Sequence, residues 1–259
     1  MIFVGELRFS EHFASYSKGN LSERPSFTLI SINWGMRMIK TKIKCVIFDC
    51  DGTLVDSEKL CCHALVNVFE QFGSHISLEQ CVAQFRGGKL ADVLSDAIAL
   101  AELEISLDLL EPAYRNELNR LFNEKLQVMP GAESLLDFLE REKIEYCVAS
   151  NGPKDKIALS LRLTGLLERF EGKMYSAFEA NAWKPDPDLL MYSAFHMGFA
   201  SDECIYVDDT PKGVEAGINA GMRTFQLFNG YDINQTTDAR VRQIGHLEEL
   251  IEIIRQESN

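Results

Sequence analysis

Between Cys45 and Glu58 the chain reads CVIFDCDGTLVDSE, which sets three aspartates, Asp49, Asp51 and Asp56, behind a short apolar run. Carboxylates held close together raise one another's pKa unless a cation or a proton joins them. In extended chain, residues i and i+2 face the same side, so Asp49 and Asp51 share one site while Cys50 faces the core. Three later stretches carry groups that complement these acids. SNG offers Ser150 and Asn151, and VDD offers Asp208 and Asp209. WKPDPDLL offers Lys184 in a loop stiffened by Pro185 and Pro187. A cluster of carboxylates without thiolate ligands suits Mg²⁺, a hard cation bound by a few protein oxygens together with water and phosphate. The Ser150 hydroxyl, the Asn151 amide and the Lys184 ammonium suit the non-bridging oxygens of a phosphoryl group. The chemistry this set points to is phosphoryl transfer through a carboxylate nucleophile, with an aspartyl phosphate between two half-reactions.

Taken singly, each stretch has an ordinary explanation. A lone D-x-D is often a solvated turn, SNG and DD are good helix caps, and a lysine usually lies on the surface. What sets the joint pattern apart is placement. The run 43–49 is short, apolar and β-branched, as expected of a strand buried on both faces. Similar strands are predicted over 144–150, near KMYSA, over 204–208 and over 223–228. Helices are predicted between them, over 129–142, 153–163, after Pro187, over 211–220 and over 246–256. Alternating strands and helices imply an α/β fold with a parallel sheet covered on both faces, which binds ligands at the carboxyl ends of its strands. Asp49 and Asp51, Ser150 and Asn151, and Asp208 and Asp209 all follow such ends. Residues 58–127 break the rhythm with helical patterns and no strand, and read as an insertion. The expected division is therefore a core of 41–57 and 128–259, a helical cap of 58–127, and an extension of 1–40. That extension is expected to be either poorly ordered or upstream of a true start at Met36 or Met38.

Bulk composition narrows the function classes. The 259 residues are 46% hydrophobic and carry a formal net charge of −13, which disfavours nucleic acid and anionic membranes as partners. A phosphate site must then be built locally, from a cation and a few placed donors. The seven cysteines form no C-x-x-C pair and several sit inside apolar runs. They are expected to be buried thiols in a reducing, cytoplasmic setting rather than disulfides or zinc ligands. No apolar run is long enough to span a membrane, and no secretory signal is evident.

DCDGTLVDSE, ASNG, WKPDP and VDDT closely resemble the four motifs of the haloacid dehalogenase superfamily of aspartate-nucleophile phosphotransferases, over Ile43 to the C-terminus. The resemblance implies a Rossmann-like, doubly wound parallel sheet with an inserted α-helical cap. It also implies that Asp49 is the nucleophile and Asp51 the general acid and base. Asp49, the Asp51 backbone carbonyl and Asp209 would bind Mg²⁺, and Asp208 would bind it directly or through water. Ser150, Asn151 and Lys184 would hold the phosphoryl group, and Asp56 would brace its loop. Dehalogenases of the superfamily lack the second acid, so Asp51 points to a phosphatase or a mutase. The mutases carry histidine twelve positions after the nucleophile, where this chain has Cys61, and His63 is rotated away on a helix. The stretch 85–93 resembles the cap loop that reaches into the site, which makes Arg86 and Lys89 the expected specificity residues. VASNGPKDK and WKPDPDLLMYSAFHMGF are most similar to bacterial 6-phosphogluconate phosphatases. The expectation is a Mg²⁺-dependent phosphatase, monomeric or a small homo-oligomer, acting on a sugar phosphate or sugar-acid phosphate. A phosphomutase and a non-catalytic phosphate-binding relative are the alternatives.

Overall fold

The computed structural model describes residues 42–84, 89–228 and 236–258. The extension 1–40 and Arg86 lie outside the described residues. The first strand, β1 (Cys45–Phe48), is buried along its whole length. Its side chains alternate between two cores. Val46 and Phe48 join a larger cluster on one face, while Cys45 and Ile47 join a smaller one on the other. The same alternation runs through β2 (Glu145–Ser150) beyond its exposed first residue and through β4 (Cys204–Asp208), so the middle of each strand is covered on both faces and is apolar.

Four helices follow β1 in the chain: α1 (Glu58–Gln71), α2 (Leu78–Gln84), α3 (Leu90–Leu100) and α4 (Leu107–Lys125). Leu65 and Phe69 of α1 and Leu118 and Phe122 of α4 are buried in the larger cluster. Next come α5 (Ala132–Glu142), β2, α6 (Lys154–Leu163), β3 (Met174–Ser176), the single turn α7 (Ala177–Ala180) and α8 (Asp188–Met197). The chain closes with β4, α9 (Pro211–Asn219), β5 (Arg223–Leu227), β6 (Arg242–Ile244) and α10 (Glu249–Ser258). Leu135 and Phe138 of α5, Leu161 of α6 and Ile254 of α10 cover one face of the sheet. Leu189 and Leu190 of α8 and Ala216 of α9 cover the other. Each fully buried Leu or Phe contributes about 1.5–3 kcal/mol, and together they offset the cost of burying the acids described below.

The strand order is β3-β2-β1-β4-β5-β6, with every neighbouring pair parallel. The chain builds outward from β1 through β2 and β3, then returns to lay β4, β5 and β6 on the other side. This is the doubly wound α/β sheet expected from the sequence, and its switch point lies between the carboxyl ends of β1 and β4. Three short elements differ from expectation. β6 is an edge strand with only Ile244 buried, so no apolar run marks it. In α2, Cys81 is the buried residue among those whose burial is described, and α7 spans four residues, too few to show a helical period.

Candidate active site

The site grows from the last rung between β1 and β4. The Asp49 backbone N–H donates to the Val207 carbonyl at 2.9 Å, which brings its side chain out beside Asp208. The chain then turns sharply. Gly52 adopts a left-handed φ of +78°, and a Cβ there would lie 2.4 Å from Asp209 Oδ2. Only glycine lets this turn press against Asp209. On the same turn the buried Thr53 hydroxyl donates to Asp209 Oδ1 at 3.1 Å.

Asp49, Asp208 and Asp209 are all buried, and each offers a carboxylate oxygen within 4.8 Å of the others. Burial pushes the Asp49 carboxyl up to about 7; Lys184 opposes the shift, and Asp208 and Asp51 add to it. Asp209 is also held well above the usual carboxylate range, first by burial, then by Glu58, Asp208 and Asp49. This donor set is all oxygen, hard and strongly anionic, and its chemistry fits Mg²⁺.

A stability test follows from Asp49. Its carboxyl moves from an ordinary 3.8 to about 7 on folding, so the folded state holds the extra proton between those values. Stability is full below the lower value and is lost as pH rises through the upper one. A divalent cation competes with that proton. In EDTA, the midpoint of thermal unfolding should fall between about pH 5.5 and pH 8, and excess MgCl₂ should raise it more at the higher pH. An equal Mg²⁺ effect at both pH values would contradict the assignment of these acids to a metal.

Lys184, in the loop after α7, is buried among the acids. Its Nζ contacts the Asp49 carboxylate, donates to Asp208 Oδ2 at 2.8 Å and lies 5.5 Å from the centre of the Tyr206 ring. Burial works against the ammonium, but Asp208 and Asp49 outweigh it, so Lys184 is held above its ordinary pKa and stays charged. Asn151 fixes the same loop. Its Oδ1 accepts the Lys184 backbone N–H at 2.8 Å, and its Nδ2 donates to the Lys184 carbonyl at 3.3 Å. The Asn151 amide, expected at the phosphoryl group, thus also braces the backbone of Lys184, with one of its two N–H donors engaged there. Ser150 ends β2 as a buried residue, and its Oγ accepts the Gly152 N–H at 3.1 Å.

Asp51 lies at the cavity edge between two partners that sequence reading did not single out. Lys156 Nζ, in the first turn of α6, donates to Asp51 Oδ2 at 2.5 Å, and the Ser57 hydroxyl donates to Oδ1 at 3.2 Å. Burial disfavours the Lys156 charge, but Asp51 more than restores it, and its pKa is raised. Glu58 was also missed; it sits buried against Asp209. The available signals were slight: Ser57 and Glu58 extend the acidic motif, and Lys156 lies one helical turn beyond SNG.

Asp49, Asp51, Ser150, Asn151, Lys156 and Lys184 line a cavity of about 350 Å³ together with Lys89, Tyr114, Arg115, Leu118, Phe178 and Trp183. Lys89 Nζ stands 4.8 Å from the Trp183 ring centre, and Arg115 is forked onto Glu111 at 2.7 and 2.9 Å. Cys61 also lines the cavity as a buried thiol, pushed up to about 12 chiefly by burial. His63 is exposed, and Asp56 is exposed and lines a separate, smaller cavity. All seven cysteines are free and buried. Among the described residues, no helix is long and apolar enough to cross a membrane.

Residues 46–227 match the family described as haloacid dehalogenase-like hydrolase. The chain is 35% identical over 218 residues to 6-phosphogluconate phosphatase of Escherichia coli (strain K12), covering 82% of this chain and 95% of that protein. It is 27% identical over 180 residues to phosphorylated carbohydrates phosphatase of Thermotoga maritima, covering 70% and 82%. Among solved structures, CbbY from Rhodobacter sphaeroides in complex with phosphate matches with a TM-score of 0.71 at 18% identity, covering 80% of this chain and 96% of that one.

Proposed function

The chain belongs to the haloacid dehalogenase-like hydrolase family and is a phosphoric monoester hydrolase; from that premise we propose that it hydrolyses a small sugar phosphate or sugar-acid phosphate, 6-phosphogluconate first among them, through an aspartyl phosphate on Asp49. The observation that carries this reading is the meeting of Asp49, Asp51 and Lys184 beneath one cavity. In the first half-reaction an Asp49 oxygen bonds to phosphorus, the bond from phosphorus to the ester oxygen breaks, and Asp51 gives that oxygen a proton. In the second, Asp51 takes a proton from water, whose oxygen displaces Asp49 and releases inorganic phosphate. Lys184 and the Ser150 hydroxyl hold the non-bridging oxygens, and the Asn151 side chain keeps Lys184 in place. Mg²⁺, which Asp49, Asp209 and the Asp51 backbone carbonyl would hold, supplies the positive charge that lets an anionic nucleophile approach an anionic phosphoryl group.

The rest of the cavity lining supports the substrate class. Lys89 and Arg115, the latter paired with Glu111, add basic groups to the cavity lining, which suits a carboxylate on a sugar-acid phosphate. Cys61, at the position where the mutases carry histidine, is a buried neutral thiol, which favours hydrolysis over mutase chemistry. The deciding measurement is phosphate release from a panel of sugar phosphates, sugar-acid phosphates and nucleotides, with and without EDTA. The expected result is strict metal dependence with the highest kcat/KM for 6-phosphogluconate. Full turnover in EDTA would exclude the metal, and a flat, weak profile would exclude the named substrate.

A further inference from the structure

Three acids crowd the metal position, but their surroundings differ. Asp208 lies fully buried at the end of β4, with both carboxylate oxygens occupied. Oδ2 accepts from Lys184 Nζ at 2.8 Å and from the Tyr206 hydroxyl. Oδ1 accepts from the Thr210 backbone N–H at 2.8 Å and from the Thr210 hydroxyl at 2.7 Å. A carboxylate offers about four lone-pair sites, and four donors fill them. The remaining side is walled by the start of α9, where a Cβ on Gly213 would lie only 1.9 Å from Asp208 Oδ2. Asp209 is placed differently: besides the Thr53 hydroxyl it meets Glu58, another acid.

We propose that Asp208 is not a ligand of the metal but a positioning residue for Lys184, held in that task by Tyr206 and Thr210. The assignment rests on the reading of the site as a metal-dependent phosphatase. It divides the adjacent acids of the VDD motif. Asp209 faces the cation, and Asp208 faces the lysine that receives the phosphoryl oxygens. Tyr206 reaches this position because residues i and i+2 of β4 point to one side, which puts its hydroxyl on Asp208 and its ring against the Lys184 ammonium. Burial and Asp208 both hold Tyr206 in its protonated form, so it serves as a donor.

A crystal structure of the wild-type chain with MnCl₂ and inorganic phosphate tests this directly. The metal is expected about 2.1 Å from oxygens of Asp49 and Asp209, and more than about 3.5 Å from either oxygen of Asp208. Metal bonded to Asp208 overturns this assignment alone. Wild-type crystals without metal overturn the functional reading, and the assignment falls with it. Titrations separate the roles in solution. Asp209→Asn should weaken Mn²⁺ binding on the order of 100-fold, while Asp208→Asn should weaken it at least tenfold less. Tyr206→Phe should leave Mn²⁺ affinity unchanged yet weaken inorganic phosphate binding to the metal-loaded protein on the order of tenfold. Equal loss of Mn²⁺ affinity in Asp208→Asn and Asp209→Asn, or unchanged phosphate affinity in Tyr206→Phe, overturns the proposal.

Discussion

Asp49→Asn is expected to lower hydrolysis by about 10⁵-fold or more, to a rate set by uncatalysed attack of water within the site. The size of the effect follows from what the residue does in the proposed mechanism. A carboxamide oxygen carries no charge to bring to phosphorus, and no covalent intermediate forms. The variant should still fold, because Asn keeps the volume of Asp and Lys184 keeps Asp208 as an anionic partner. Removing an acid that burial holds up to about 7 relieves a charge that is costly at higher pH, so the metal-free variant should melt no lower than wild type near pH 8. Acid quenching during turnover of labelled substrate should recover phosphoprotein from wild type and none from the variant. Substantial turnover by Asp49→Asn, with deamidation excluded by mass spectrometry, would remove Asp49 from the nucleophile's role.

That prediction uses a residue legible in the sequence, and the reason it was legible is physical. A strand buried on both faces must be apolar, so CVIF stands out, and an acid directly after such a run has few other reasons to be there. The same logic exposes Ser150 after YCVA and Asp208 after CIYV. Lys184 is marked by the two prolines that follow it, Pro185 and Pro187. Partners that act across the sheet leave no such trace. Lys156 sits 105 positions from Asp51 and looks like any lysine in the first turn of a helix. Tyr206 reads as one more apolar residue of β4 until its hydroxyl is seen on Asp208. Asn151 follows β2 as its place after YCVAS implies, but the turn of its amide onto the Lys184 backbone is decided by the packing of two loops. The sheet order was equally hidden. Alternating strands imply a parallel sheet, while the return to β4 beside β1 is set by which helices cover which face.

Asp51→Asn should divide substrates by their leaving groups. Departure of a sugar alkoxide needs a proton, so loss of the acid should slow sugar phosphates by about 10²–10⁴-fold. p-Nitrophenolate leaves without one, so with p-nitrophenyl phosphate the first half-reaction should keep most of its rate. Hydrolysis of the aspartyl phosphate would then stall, because the same carboxylate is missing as base. The expected trace is a burst of one p-nitrophenolate per site followed by slow turnover. Lys156 gives the companion test. If its 2.5 Å contact serves to aim Asp51, Lys156→Met should show the same leaving-group split, with a loss on the order of tenfold on sugar phosphates and little on the aryl ester. Lys156→Arg should restore part of it. If instead Lys156 binds the phosphoryl group, both substrates will lose equally, because both present that group to the site. A split places the lysine behind the acid. Equal losses place it beside Lys184, and Asp51 would then owe its orientation to Ser57 alone.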